Sequence, residues 1–268
     1  MRFGFVLPGG STTEQLELAV MADDSGWDGV FVWEAAYGFD AWSLLTAMAM
    51  RTSRVRLGTM LTPLPWRRPW KLASQVATLD QLSNGRAILA VGVGAVDDAL
   101  GRTGEVTDLK ERAALLDEGI EVIDKLWRGE LVHSGARYEV DLTPRVDMAA
   151  FRPVQQPRPP IWVVGKWPYP KSMRRVLRTD GWLPYMDEPS PEGVHAGIGW
   201  LRTHGMRDDF DVITEGETPA GDHAEAAAIV RPWADAGCTW WMETRWGAFD
   251  DIRLDESRAR LVAGPPVL

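Results

Sequence analysis

Three glutamates, a lysine and a pair of glycines are the residues whose types and spacing could do chemistry. Glu34 follows the apolar run Gly29–Trp33, Glu215 follows Phe210–Thr214, and Glu243 closes Thr239–Glu243. A carboxylate shielded by aromatic neighbours, here Trp33 and Trp42, has its pKa raised towards a range suited to proton transfer. A rim salt bridge explains Glu34 equally well. Glu215 and Glu243 extend the pattern to several acids gathered at one mouth from distant parts of the chain. Lys166 lies in GKWPYPKSMRR (Gly165–Arg175), where Lys171, Arg174 and Arg175 surround an expected helix start. Helix N-termini and basic side chains both favour an anionic group, and Lys166 and Trp167 lie nearest the strand end. The competing reading is a solvated basic turn. Arg67 and Arg68 could reach the same anion or simply be a solvated helix entry.

The glycines sit in LDQLSNGRAILAVGVG (Leu79–Gly94). Asn84 and Gly85 follow a helical pattern and supply the left-handed conformation of a helix C-terminus. Asp80 and Arg86 therefore belong at a strand start and are expected to form a structural pair or capping set. Gly92 and Gly94 come after the strand, where a missing Cβ lets a flat ring or a phosphate approach the backbone. A tight turn is the alternative. VGVGAVDD is no dinucleotide fingerprint, because Asp97 stands where GxGxxG needs its third glycine.

The elements that must position these residues alternate along the whole chain. Strands are expected at Phe3–Leu7, Gly29–Trp33, Val55–Thr59, Ala87–Val91, Ile161–Val164, Gly181–Pro184, Phe210–Thr214 and Thr239–Glu243, each followed by a helical pattern. The helices are expected at Thr12–Ser25, Ala41–Arg51, Pro69–Leu82, Lys110–Trp127, Ser172–Arg178, Pro191–His204, His223–Ala236 and Asp255–Val262. Eight βα units in 268 residues predict one α/β domain, a TIM (β/α)8 barrel over 1–268. A doubly wound sheet would carry fewer repeats and a longer glycine fingerprint. Gly129–Pro160 is long for a plain connection and is expected as a surface excursion between strands four and five, with a short hairpin around Val132–Val140.

Composition narrows the function. A formal charge of −9 with no long basic run argues against nucleic acid. The lone Cys238 cannot form an internal disulfide, and the four histidines, His133, His195, His204 and His223, are scattered. No metal site is expected, and no GxSxG elbow occurs. MRFGFVLPGG is too short an apolar run for a signal peptide and no later run is long enough to span a membrane, so a soluble protein in a reducing cytoplasm is expected. Most of the fourteen tryptophans are expected in the core.

Seven segments together resemble the bacterial luciferase-like flavin-dependent monooxygenases and their F420-dependent relatives. They are GWDGVFVWE (Gly26–Glu34), RTSRVRLGTMLTP (Arg51–Pro63), RRPWKLASQVATLDQLSNGR (Arg67–Arg86), AVGVG (Ala90–Gly94), LDEGIEVIDKLWRG (Leu116–Gly129), PPIWVVG (Pro159–Gly165) and DGWLP (Asp180–Pro184). The resemblance implies a luciferase-like barrel that holds FMN, in its reduced form, or coenzyme F420 over the C-terminal mouth, often as a dimer. It places Thr59 near the cofactor ring and Gly92 and Gly94 beneath or beside it; Gly165, which closes PPIWVVG, is counted with Lys166 and Trp167 among the expected cofactor-binding residues. Many relatives carry an Asp-His pair after strand two; here Glu34 and Ala35 stand there, so no histidine is carried over. The implied function is a flavin- or F420-dependent oxidoreductase, a monooxygenase in the flavin case, acting on a small organic substrate. A separate flavin or F420 reductase and a homodimer are the implied partners. A non-catalytic flavin or deazaflavin carrier is the alternative.

Overall fold

The computed structural model describes residues 1–35, 37–96, 100–143, 148–245 and 252–268. In chain order the elements are β1 (Arg2–Val6), α1 (Thr12–Asp24), β2 (Gly29–Val32), α2 (Ala41–Ala49), β3 (Arg56–Thr59), β4 (Thr62–Pro63), α3 (Pro69–Leu82), β5 (Ala87–Gly92), α4 (Leu109–Arg128), β6 (Val132–Ser134) and β7 (Glu139–Asp141). They continue with β8 (Ile161–Lys166), α5 (Pro170–Val176), β9 (Gly181–Tyr185), α6 (Pro191–Thr203), β10 (Asp211–Gly216), α7 (His223–Ala236), β11 (Trp240–Glu243) and α8 (Leu254–Val262).

Eight parallel strands run β3-β2-β1-β11-β10-β9-β8-β5, and β3 pairs with β5 to close the ring. This is the expected (β/α)8 barrel. The two-residue β4 adds Thr62 and Pro63 beside Val91 and Gly92 at the C-terminal end of β5. The excursion after α4 carries the expected antiparallel hairpin, β6 with β7. Among the described residues no helix is long and apolar enough to cross a membrane.

Local sequence explains where the helices begin and end. The side chains of Ser11, Asp40, Asp108, Ser190 and Asp222 each accept a hydrogen bond from a first-turn amide, satisfying donors that the helix itself leaves unpaired. Left-handed Gly129 and Gly237 close α4 and α7. Strand ends differ slightly from the sequence pattern. Pairing with β9 carries β8 on through Gly165 and Lys166, so Lys166 is the last strand residue rather than part of a loop.

Side chains alternate across each strand, and the closed barrel turns that alternation into two separate cores. Val6, Phe31, Ile88, Ala90, Trp162, Leu183, Ile213, Trp240 and Met242 fill the interior, with Met60, Leu61 and Val164 packed against them. Phe31 stacks on Trp162 with centroids 5.5 Å apart, and Trp162 meets Trp240 edge-on at 5.3 Å. The opposite faces, including Val32, Leu57, Val91, Val163 and Trp241, pack against the helices. Six tryptophans are among the largest fully buried side chains, as the expected core role requires.

Asp80 and Arg86 lie at the strand N-termini, away from the mouth, but they do not pair with each other. Fully buried Asp80 accepts from the Gln155 amide at 2.9 Å and its side chain at 2.7 Å, pinning the excursion beneath α3. Arg86 donates to the carbonyls of Ala49, Thr52, Val55 and Ser83. The reason is that the end of α2 and the excursion, both distant in sequence, bring closer acceptors and donors to these two groups.

Asp23 does similar work for the turn before β3. Its carboxylate accepts from the amides of Ser53, Arg54 and Val55, each at 2.8 Å. Burial raises this carboxyl's pKa, but the three amides outweigh burial and hold it below its ordinary value. A lowered folded-state pKa contributes stability above the unfolded value, and that stability is lost as pH falls through the folded one. Asp23→Asn is therefore expected to cost about 1–3 kcal/mol at about pH 7. The melting-temperature gap to the wild type should narrow steadily below about pH 4. A gap independent of pH, measured by thermal melts, would contradict the assignment.

Candidate functional site at the C-terminal mouth

Glu34, Thr59, Gly92, Lys166, Glu215 and Glu243 all lie at or just beyond the C-terminal ends of parallel strands and so share one rim. Alternation divides them by the direction they face. Lys166 shares its side of β8 with Trp162 and Val164, and Glu215 shares its side of β10 with Ile213, so both belong to the inner ring. Gly92 follows Ile88 and Ala90 on the inner side, and a Cβ there would come within 3.1 Å of Leu61 and 3.2 Å of Val164. Tyr185, the last residue of β9, follows Leu183 inward. Trp33, one past β2 on the side of Phe31, stands 3.8 Å from a Cβ placed on Gly9.

Lys166 is bracketed by aromatic rings and a carboxylate. Its ammonium donates to Asp187 at 2.8 Å and lies 5.0 Å from the Tyr169 ring centroid and 5.2 Å from that of Tyr185. The hydrogen bond to Asp187 pushes the lysine pKa up. Trp167 turns away into the helical layer, with its ring 6.4 Å from Trp200 on α6. Gly165 also faces that layer, since a Cβ there would strike Val176 and Trp182. Gly94 has φ +77° and sits against Trp66 and Pro63, so a side chain would be both strained and crowded. The helix after Lys166 has only seven residues and no side-chain cap, which leaves the lysine as the stronger attraction for an anion there.

Glu34 belongs to the outer side. Its carboxylate accepts from Thr62 Oγ1 at 2.7 Å and from Arg67 Nε at 2.6 Å, with a second bond from Arg67 Nη2. The Glu34 side chain is 7% exposed. It is thus no isolated acid in an apolar pocket; the salt-bridge reading describes it. Thr62 and Thr59 hydroxyls lie 2.9 Å apart, and Thr59 also reaches the Ala90 carbonyl at 3.3 Å. Arg67 further contacts Asp40 at 3.5 Å. Burial would raise the Asp40 carboxyl, but the Ser43 amide and Arg67 together hold it below its ordinary range. One guanidinium therefore ties both ends of the 34–40 segment to the segment after β4. Arg67 as the partner of Glu34 was not foreseen from the sequence, because 33 residues separate them.

Glu243 is also turned away from the mouth, opposite in parity to Met242. It is fully buried and accepts from the Thr218 amide at 2.8 Å, Thr218 Oγ1 at 2.7 Å and Trp241 Nε1 at 3.2 Å. Arg245 lies 3.1 Å and Arg260 3.8 Å from its oxygens. This geometry makes it an internal counter-ion that joins β11, the turn after β10, and α8. Of the three glutamates, only Glu215 is directed inward, and it is exposed. Among the described residues no group of His, Cys, Asp and Glu could hold a metal ion. A groove between α2 and α3, lined by Trp42, Ser43, Lys71 and Gln75, opens on the outer helical layer rather than over the strand ends.

The closed parallel barrel and its surrounding helices define a (β/α)8 protein. The chain belongs to the luciferase-like monooxygenase family, which its residues 1–260 match. A Mycobacterium tuberculosis protein assigned to the coenzyme F420-dependent oxidoreductases is 31% identical over 229 residues, covering 81% of this chain and 65% of the relative. The oxygenase component of an Acinetobacter baylyi flavin-dependent trigonelline monooxygenase is 32% identical over 160 residues, 58% of this chain and 43% of the relative. An F420-dependent glucose-6-phosphate dehydrogenase of Amycolatopsis mediterranei is 37% identical over 155 residues, 54% and 45%. The chain thus spans 43% to 65% of the length of these curated relatives. Among solved structures, an F420-dependent secondary alcohol dehydrogenase superposes with a TM-score of 0.76 at 16% identity, and monooxygenase RslO1 from Streptomyces bottropensis with 0.72 at 23%, each over 98% of both chains. At those identities the likeness concerns the fold.

The ion pair behind the rim has a measurable signature. Arg67→Met leaves Glu34 buried without its cation, which is expected to cost about 3 kcal/mol of stability. Adding Glu34→Gln should recover at least about 1 kcal/mol of that loss, the mark of a coupled pair. Strictly additive effects in denaturant melts of the two single variants and the double variant would refute the coupling.

Proposed function

We propose that the chain is a flavin- or F420-dependent oxidoreductase acting on a small organic substrate at the barrel mouth. One observation carries the reading: the interior is sealed below the mouth by Met60, Leu61 and Val164, while Lys166 points inward on the same rim. The Cβ that Gly92 lacks would fill the space above Leu61 and Val164, so the residues fit a flat ring lying on an apolar floor with an anionic tail directed to Lys166. FMN or F420, when bound, supplies the hydride or electron chemistry. The names of the relatives, which include both flavin- and F420-dependent proteins, support the same pair of cofactors.

In this reading each group has one task. Lys166 binds the anionic tail, and Asp187 with Tyr169 and Tyr185 holds its ammonium in place. Met60, Leu61 and Val164 exclude water from below. Glu34, locked by Arg67, orients Thr62 and through it Thr59 at the edge of β3 and β4, as a positioning residue. Glu215, the glutamate on the inner ring, holds or delivers the proton. Glu243 serves as the anchor of α8. With FMN as the cofactor, a separate reductase would provide the reduced form, in line with a relative named as an oxygenase component. A homodimer in the cytoplasm completes the proposal. The carrier alternative is favoured by Ala35 in the histidine position and by the commitment of Glu34 to Arg67.

Titration of the pure protein with FMN and with F420, followed by tryptophan fluorescence, should show retention of one of them. Lys166→Ala is expected to weaken that binding about tenfold or more, the scale of a charge-assisted hydrogen bond. Unchanged affinity would return Lys166 to a solvated turn. Glu215→Gln should lower turnover by about 10²-fold while cofactor affinity is kept. Cofactor retention with no oxidation of the reduced form by any substrate tried would favour the carrier.

A further inference from the structure

Arg112 stands near the start of α4, and its side chain is a buried cation whose described acceptors are backbone carbonyls. At 6% exposure it donates through Nη1 to the carbonyls of Val93 at 2.9 Å and Gly94 at 2.7 Å, and through Nε to that of Thr107 at 3.2 Å. One guanidinium therefore joins the two ends of the connection from β5 to α4. A carbonyl takes a hydrogen bond from the guanidinium and leaves the positive charge in place. These bonds also set which way the turn after β5 faces. The peptides on either side of Gly94 are trans, so the Gly94 N–H lies opposite the Val93 carbonyl and the Ala95 N–H opposite the Gly94 carbonyl. With both carbonyls gathered on Arg112, two successive amides face away from α4. Among the described residues no acceptor meets either amide, and Ala95 is exposed. Gly94 fixes the turn further, because its φ of +77° and the nearness of Trp66 and Pro63 exclude a side chain.

We propose that Arg112 is a positioning residue that holds the Gly94 and Ala95 amides as a pair of donors for an oxygen on the edge of the bound ring system, one that gains negative charge on reduction. The inference rests on the cofactor reading above and adds to it the group that favours reduced over oxidised cofactor. Successive amides in a turn form a concavity suited to an anionic oxygen. Here the carbonyl ends of both peptides rest on a cation, which polarises the amides at their other ends. The pair comes two and three positions after Gly92, whose missing Cβ leaves the space above Leu61 and Val164 that a flat ring would take. Donors fixed before the charge develops need no reorganisation when it does. FMN and F420 both present carbonyl oxygens on one ring edge, so the same two amides serve either, and the charge behind them tunes the ring's electronics.

Two measurements test the assignment, with FMN and F420 as the probes. In isotope-labelled wild type, the Gly94 and Ala95 amide resonances should shift on addition of whichever cofactor is retained, and saturate at the same concentration as its binding. The second measurement compares the midpoint potential of the bound cofactor in wild type, Arg112→Met and Arg112→Lys. Arg112→Met should weaken the reduced form about tenfold more than the oxidised form, a midpoint about 30 mV lower for a two-electron couple. Arg112→Lys keeps the charge and should recover most of that difference. Equal weakening of both forms in Arg112→Met would reduce Arg112 to a structural tie or an anchor for the cofactor's tail, and would overturn the proposal. Should Arg112→Met fail to fold, the wild-type amide shifts and the lysine variant still decide. Cofactor retained with both amides unmoved would overturn this inference alone, whereas failure of the wild type to retain either FMN or F420 would defeat the cofactor reading and this inference with it.

Discussion

Closure of the sheet is the constraint on which everything else in this protein depends. Once β3 pairs with β5, each strand has one face directed into a filled interior and one under the helices. Because successive side chains alternate, the last residue of every strand inherits its direction from those below it. Lys166 and Tyr185 are carried inward by Trp162 and Leu183. Glu243 is carried outward by Trp241. A one-residue difference in where a polar group sits relative to the strand decides whether it can meet a ligand or is sealed behind the wall.

Charges on the outward side are handled as ion pairs, and their chief effect is positional. Glu34 with Arg67, Glu243 with Arg260, and Asp117 with Arg175 each join one element to a later one. The net energy of such buried pairs is small because desolvation offsets most of the attraction, while leaving one partner alone is costly. That asymmetry suits loops that must return to one place. Glu34 and Asp40, on either side of exposed Tyr37 and Phe39, are both held by Arg67.

A rim organised in this way lets one barrel serve different chemistries. Relatives named for flavin or F420 dependence are similar over 54% to 81% of this chain. The strands and helices of the barrel settle the frame. The inward side chains at the strand ends are a small set, and exchanging a few of them changes what the mouth accepts without disturbing either core.

The sequence by itself determined the order and kind of the elements. Apolar runs bounded by turns, capping residues such as Ser11 and Asp222, and the Asn84-Gly85 pair are local signals, and the barrel follows from their eightfold repetition. The presence of acids and a lysine at strand ends was equally legible. Their facing was not, because strands of a closed parallel barrel are apolar on both sides and the usual alternation of polar with apolar is missing. Whether Val32 or Phe31 pointed inward, and with it the direction of Glu34, could not be read from GVFV. Partners were hidden for a related reason. Arg67 reaches Glu34 across 33 positions, Thr218 reaches Glu243 across 25, and Gln155 reaches Asp80 across 75. Only folding brings such groups together. Tertiary structure therefore decided which acid became a counter-ion and which was left on the inner ring.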